Sequence, residues 1–180
     1  MSEPLLLSVC HFDGNLLVVS YHKQEGRYRH VVQYVDRIGS VLSSMSDVFA
    51  SADEDWPASP PIQQLSQERI EGSETLLGVG QAGKSHWSIS VETINDPSRC
   101  AIRFDIACRT KMRPQFLGSS YERTDSTSDS IPYRLQLIVD PQSPETTLTG
   151  DQANCSFKST PASGKATYRW AYQIAVMKAY

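Results

Sequence analysis

Apolar residues recur at every second position through most of the chain after Ile62, and this alternation limits the fold more than any other feature. It appears in three sets: Trp87, Ile89 and Val91; Ile102, Phe104, Ile106 and Cys108; and Tyr133, Leu135, Leu137 and Val139. A period of two is typical of antiparallel strands with one face buried. The sequence therefore predicts a β-dominated domain, built as an antiparallel sheet, half-open barrel or sandwich.

The C-terminal segment also alternates, with bulky residues at Tyr168, Trp170, Tyr172, Ile174 and Val176. A helix over residues 166–178 would also fit, because Tyr168, Tyr172 and Ala175 have helical spacing. We favour a strand, since aromatic and β-branched residues prefer strands.

The N-terminal residues predict a hairpin around Asp13-Gly14, a dipeptide typical of two-residue type I′ turns. Its strands would be residues 5–12 and 15–22, with Val9 opposite Val18. Because both faces would be fairly apolar, we expect this hairpin to be covered on both sides. A third strand is expected over residues 28–36.

The apolar spacing then changes to that of a helix over residues 37–51. The positions that share its face are Ile38, Val41, Leu42, Met45, Val48 and Phe49. Pro57 and the pair Pro60-Pro61 would stop any continuation. One amphipathic helix after the third strand makes the predicted class α+β.

At 180 residues, the chain fits a single domain over 1–180, with surface loops at 52–61, 117–130 and 140–152. The net charge of −3 does not suggest a bulk polyanion binder. We find no membrane-spanning apolar run and no basic leader, so a cytoplasmic location without membrane contact is expected. The four cysteines are then expected to be reduced, small apolar residues.

Residues 78–85, Gly-Val-Gly-Gln-Ala-Gly-Lys-Ser, match the phosphate-loop pattern G-x-x-x-x-G-K-S. In a working phosphate loop Lys84 would reach the phosphates and Ser85 would hold magnesium. Asp140, at the end of an apolar run, would be the second magnesium ligand. This alternative predicts a protein that binds a magnesium–nucleotide complex.

The surrounding residues favour a β-hairpin instead. A phosphate loop must open a helix, whereas Trp87, Ile89 and Val91 continue at period two. A type II′ turn at Gly83-Lys84 would pair Gly80 with Trp87 and Gly78 with Ile89. The glycines would then make room for the large side chains opposite them. The turn residues Lys84, Ser85 and His86 would remain as a small anion site.

Basic residues concentrate on one predicted strand and its continuation, at Arg99, Arg103, Arg109, Lys111 and Arg113. They would lie on the face opposite Ile102, Phe104 and Ile106. Such a stripe suits an acidic protein partner or a small anion, but without interleaved aromatic residues a nucleic-acid partner is disfavoured. For the stripe itself we favour a solvated strand face paired with the acidic segment 47–75 of the same chain, and an interaction surface is the main alternative.

The sequence shows no catalytic or dinucleotide-binding motif. Metal binding is disfavoured, because His11 and His22 would lie at opposite ends of the first hairpin. We therefore expect no cofactor or metal, and a non-catalytic interaction domain is the favoured function. A nucleotide-binding protein that uses Lys84, Ser85 and Asp140 remains the alternative.

Overall fold

The computed structural model describes residues 3–49, 54–96, 99–124, 132–150, 154–159 and 167–178, with only the backbone described for 95, 150 and 154–159. These residues form thirteen strands and, in the described ranges, no helix. The strands are β1 (Leu5–Cys10), β2 (Leu16–Gln24), β3 (Arg27–Val35), β4 (Val41–Asp47), β5 (Ile62–Ile70), β6 (Ser73–Ala82), β7 (Ser85–Asp96), β8 (Arg99–Arg109), β9 (Gly118–Arg123), β10 (Tyr133–Val139), β11 (Thr146–Gly150), β12 (Asn154–Ser159) and β13 (Thr167–Lys178).

The strands form two antiparallel sheets that enclose one hydrophobic core. The seven-stranded sheet has the order β1-β2-β3-β4-β9-β12-β11, and the six-stranded sheet has the order β10-β13-β8-β7-β6-β5. Both sheets contribute large buried side chains, among them Tyr34 and Met45 from the first and Trp87 and Trp170 from the second. The described chain contains no helix that could span a membrane.

The predicted helix over residues 37–51, and with it the α+β class, is wrong. Residues Val41–Asp47 form strand β4, which pairs with β3. The pairing changes from Tyr34 opposite Ser43 to Val35 opposite Val41, so Leu42 is an extra residue in β4. Leu42 and Met45 both contact the core although they are three positions apart, which imitates helical spacing. Ile38 lies in the preceding turn and is 88% exposed. Residues 50–53 lie outside the described ranges.

The first hairpin forms, but its pairing is shifted by one residue from the expectation. Val9 lies opposite Leu17, not Val18. The turn has three residues: the Gly14 N–H donates to the His11 carbonyl, and Gly14 has a φ of 84°. In this register Leu7, Val9 and Leu17 lie on the core face. The opposite face of the hairpin is not covered as expected, because Leu6 and Leu16 are exposed.

Residues 73–96 form the hairpin predicted from the phosphate-loop pattern, and its register is confirmed. Gly80 lies opposite Trp87, Gly78 opposite Ile89 and Ala82 opposite Ser85. Gly83 has a φ of 53°, the positive value that a type II′ turn requires at its first central residue.

Gly78 has the role predicted from the sequence, but Gly80 does not. A Cβ on Gly78 would lie 2.7 Å from Cγ2 of Ile89, as expected, and 2.8 Å from Cγ2 of Ile62. A Cβ on Gly80 would lie 1.8 Å from the carbonyl oxygen of Pro61. Gly80 therefore makes room for the backbone that leads into β5, not for the Trp87 ring.

The expected C-terminal strand is confirmed, but two of the expected loops contain strands. Residues Thr167–Lys178 form a strand, as favoured. Within the expected loop 117–130, Gly118–Arg123 form β9, an interior strand of the seven-stranded sheet, and 125–131 lie outside the described residues. Within the expected loop 140–152, Thr146–Gly150 form β11. Residues 54–61 contain no helix or strand.

Candidate binding face of the six-stranded sheet

The outer face of the six-stranded sheet carries rows of side chains that run across its strands. The register of β6, β7, β8 and β13 defines three of them: Gln81, His86, Arg109 and Thr167; Val79, Ser88, Ala107 and Arg169; and Thr75, Glu92, Arg103 and Gln173. Neighbouring strands lie about 4.8 Å apart, so each row is about 15 Å long. We refer to them as the polar row, the small row and the ionic row.

A groove of about 480 Å³ lies over the polar and small rows. Ser88 and Ala107 contribute short side chains to its floor, and Gly80 contributes only backbone. Gln81, His86 and Arg109 rise beside them as longer polar side chains. Gln63 and Gln64 from the edge strand β5 complete the wall on one side. The groove therefore offers amide, imidazole and guanidinium groups above a shallow floor.

Arg109 is the cation of this groove. It is exposed and lies between His86 and Thr167 in the register. In the described part of the chain, Arg109 forms no ion pair and no side-chain hydrogen bond. A guanidinium offers five N–H donors in a fixed planar arrangement, which suits a carboxylate or phosphate group. The Arg109 donors thus remain available to an anionic ligand.

Other basic residues lie at the same end of the sheet. Lys84 is in the turn between β6 and β7, and Lys111 and Arg113 follow the end of β8; all three are exposed. An acid also lies here, since the Asp55 carboxylate is against Gly83 of that turn. The four basic residues, Arg109 included, outnumber this acid, so this end of the face favours anions.

Arg103 lies in the ionic row and is neutralised by three carboxylates. Its Nη1 lies 3.0 Å from Glu92 Oε1, its Nη2 3.0 Å from Asp105 Oδ2, and its Nε 2.7 Å from Asp140 Oδ2. Arg169 adds a two-point contact with Asp105. With two guanidinium groups and three carboxylates, the cluster has a net charge of −1.

These contacts shift the pKa values of the cluster. Burial raises the pKa of Asp140, but the Gln142 N–H and the Arg103 guanidinium outweigh it, so the pKa lies below the usual value. Burial likewise raises the pKa of Asp105, and hydrogen bonds and charge from Arg169 and Arg103 bring it below the usual value. Both carboxylates are therefore held in the charged form.

The basic stripe expected from the sequence is divided into two parts. Arg99 donates to Oε1 of Gln173 at 3.1 Å, and Arg103 belongs to the ionic cluster. Strand β8 ends at Arg109, so Lys111 and Arg113 do not continue its alternation. The acids that neutralise Arg103 come from β7, β8 and the end of β10, not from the acidic segment 47–75.

Asp140 lies far from Lys84 and Ser85, the other two residues expected of a nucleotide site. Ser85 is 1% exposed, and it begins a strand instead of a helix. Asp140 contacts Arg103, which lies six positions along β8 from Arg109, the residue opposite His86. At 3.3 Å per residue, this separates Asp140 from the Lys84 turn by about 20 Å. The sheet does not bring Lys84, Ser85 and Asp140 together.

A second polar cluster lies inside the core. The Nε2 of His30 is 2.7 Å from the Tyr121 hydroxyl, which is 2.6 Å from the Tyr172 hydroxyl. Asp47 accepts a hydrogen bond from the His30 backbone N–H at 3.2 Å. All four residues are buried, at 0–6% exposure. This enclosed chain ties β3, β4, β9 and β13 together and presents no surface for a substrate.

The predicted register of the Gly83-Lys84 hairpin also implies that Gln81 lies opposite His86, but the sequence did not indicate Thr167 or the two glutamines of β5 as groove residues. Thr167 reaches the polar row only because β13 pairs with β8, and no local pattern specifies that pairing. The sequence also did not indicate the His30 chain, whose members are up to 142 positions apart.

In the described ranges, no three His, Cys, Asp or Glu side chains converge on a common metal position. Comparisons of the chain with protein-family models, curated proteins and solved structures found no match.

Proposed function

We propose that this protein is a non-catalytic interaction module that binds an acidic segment of a partner protein on the outer face of its six-stranded sheet. The observation that carries the proposal is Arg109, an exposed guanidinium without an ion pair in the described residues, at the wall of a groove of about 480 Å³. Arg103 provides the contrast on the same strand, because three carboxylates already satisfy it.

The chemistry of the groove suits a peptide carboxylate. Arg109 can form two parallel hydrogen bonds to one carboxylate. His86 lies next to it in the polar row, and Gln81 lies on the far side of His86; both can bind the peptide amides. Val79, which is 50% exposed, gives an apolar contact at the edge of the groove. Lys84 and Lys111 add attraction that acts over about 10 Å before salt screens it.

The proposal is tested by fluorescence anisotropy with a fluorescein-labelled hexaglutamate peptide. We expect the wild-type protein to bind it, with an affinity that falls as salt is added. Arg109→Glu removes the donor and adds repulsion, so binding should weaken by about tenfold or more, equivalent to about 1.4 kcal/mol. Hexalysine peptide should not bind to the groove.

Arg69→Glu is the matched control. Arg69 is an exposed arginine on β5 of the same sheet and lies opposite Glu74, at the end of the strand distant from the groove. Arg69→Glu changes the net charge by the same amount as Arg109→Glu. Equal weakening by the two variants would reduce the effect to net charge and remove the groove from the account.

A further inference from the structure

Strand β1 forms one edge of the seven-stranded sheet, and its backbone bonding is incomplete. The His11 N–H donates to the Asn15 carbonyl, which makes these two residues a hydrogen-bonded pair. Hydrogen-bonded pairs in an antiparallel ladder recur at every second residue, so Val9, Leu7 and Leu5 also bond to β2. The N–H and C=O groups of Leu6, Ser8 and Cys10 must then point away from the sheet.

These outward groups have no partner within the described residues. The two edges of the six-stranded sheet, β10 and β5, are protected. The Leu135 N–H of β10 donates to Ser43 Oγ at 3.3 Å, and its carbonyl accepts from Arg123 at 2.7 Å. Edge strand β5 carries the charged residues Glu68 and Arg69, which oppose edge-to-edge pairing. Strand β1, Leu-Leu-Leu-Ser-Val-Cys, has neither a charge nor a proline.

We propose that β1 pairs with β1 of a second copy of this chain, in antiparallel orientation around a two-fold axis at Ser8. This register places Ser8 opposite Ser8 of the second copy, and Leu6 opposite Cys10. All three outward N–H groups of each copy then meet a carbonyl of the other. The seven-stranded sheets of the two copies join into one continuous sheet.

The ends of β1 agree with this register. Continued by two residues, it would place Pro4 opposite Phe12. Pro4 has no N–H to satisfy, and Phe12 lies in the hairpin turn beyond the end of β1. An axis at Val9 would place Leu6 opposite Phe12, and an axis at Leu7 would place Cys10 opposite Pro4. Neither Phe12 nor Pro4 can continue the ladder. The axis at Ser8 is therefore the one that uses every outward group.

The occupant is a second copy because the edge is complementary to itself. The outward side chains that meet are Ser8 with Ser8 and Leu6 with Cys10, so the pairing brings no like charges together. On the core face, Leu7 would meet Val9 of the second copy. Both side chains are already buried within one copy, at 3–5% exposure, and the pairing would extend this apolar row. A closed two-fold pairing also leaves no free edge on β1 for further growth.

Sedimentation velocity of the full chain tests the proposal with three variants of Ser8, an exposed side chain. Wild type and Ser8→Ala should sediment as dimers over the same range of protein concentration. Ser8→Glu and Ser8→Lys should each sediment as monomers at those concentrations, since each places like charges directly opposite across the axis. An equimolar mixture of these two variants should restore the dimer.

Recovery in the mixture depends on the register, because it requires the two substituted residues to face each other. Circular dichroism and thermal melting establish that each variant is folded. A wild-type monomer at every concentration would overturn the proposal and leave β1 to a strand of another protein. A dimer that survives Ser8→Glu, or a mixture that stays monomeric, would overturn the axis at Ser8.

Discussion

Arg103 and Asp140 form an ion pair in which the guanidinium Nε lies 2.7 Å from the carboxylate Oδ2. The sequence suggested a separate external partner for each: an acidic ligand for Arg103 and magnesium for Asp140. In the fold they bind one another, 37 positions apart. The ionic row is consequently part of the scaffold, and the groove beside Arg109 is the better candidate for recognition.

Arg103→Gln should destabilise the fold by about 2 kcal/mol, because it leaves the Asp140 carboxylate without its charge-assisted hydrogen bond. Asp140 and Asp105 have pKa values below the usual one. Their contribution to stability is therefore complete above the unfolded pKa of about 4 and is lost as pH falls through the folded value. Urea unfolding should show a difference between wild type and variant that shrinks below about pH 4.

Arg169→Gln is the control for that measurement. The Arg169 side chain is 69% exposed, so its ion pair with Asp105 is largely screened by water. We expect a cost of less than about 1 kcal/mol. Equal losses from the two variants would contradict the central position of Arg103.

Gly80→Ala should destabilise the protein by about 3 kcal/mol, since its Cβ would overlap the Pro61 carbonyl, a backbone atom that cannot rotate away. Lys84→Ala, in the exposed turn, should change the free energy of unfolding by less than about 0.5 kcal/mol. Urea denaturation compares both with wild type. A stable Gly80→Ala protein would mean that the glycine has no role in packing against the start of β5.

His30→Gln should flatten the dependence of stability on pH. Burial lowers the pKa of His30, and although Asp47 raises it, the net value lies below the usual one. His30 is thus neutral in the fold, whereas the unfolded chain binds a proton below about pH 6.5. Wild-type stability should decline as pH falls from about 6.5 through the folded pKa.

The exposed His22 supplies the comparison, with its Nε2 3.2 Å from Ser20 Oγ. His22→Gln removes an exposed imidazole and is the control in thermal melts from neutral pH to about pH 5. If His30→Gln left the slope unchanged, protonation of His30 would not be coupled to unfolding.

Cysteine reactivity should separate the exposed thiol from the buried ones. Cys10 is exposed, whereas burial raises the pKa values of Cys100 and Cys108 to about 12. Thiolates are the reactive species, so in a Cys155→Ser background one thiol should react rapidly with a disulfide reagent at neutral pH. Cys10→Ser should abolish that rapid phase; rapid reaction of a second thiol would contradict the burial of Cys100 and Cys108.

Local patterns predicted the parts of this fold that local residues determine. The hairpin at Gly83-Lys84 was predictable because its turn residues and the alternation through Trp87 and Ile89 agree on one register. The segment 37–51 was misread because Leu42 is an extra residue in β4, which puts Leu42 and Met45 against the core at a helical spacing of three. Local spacing alone could not distinguish the two.

The same contrast applies to the candidate site. The face of β8 that carries Arg103 and Arg109 followed from alternation. Their different environments did not, because Asp140 reaches Arg103 through the pairing of β10 with β13 and of β13 with β8. Charge partners of this kind depend on strand order, which a single sequence does not specify.

The most direct test of the binding face is an NMR titration of the ¹⁵N-labelled protein with unlabelled hexaglutamate peptide. Changes in backbone amide shifts should concentrate at Gln81, His86, Ser88, Arg109 and Thr167, and Arg109→Glu should abolish them. The ionic row around Arg103 should change little. Shifts that cluster elsewhere, or a response of Lys84 and Ser85 to magnesium–nucleotide with none to the peptide, would contradict the proposed binding face.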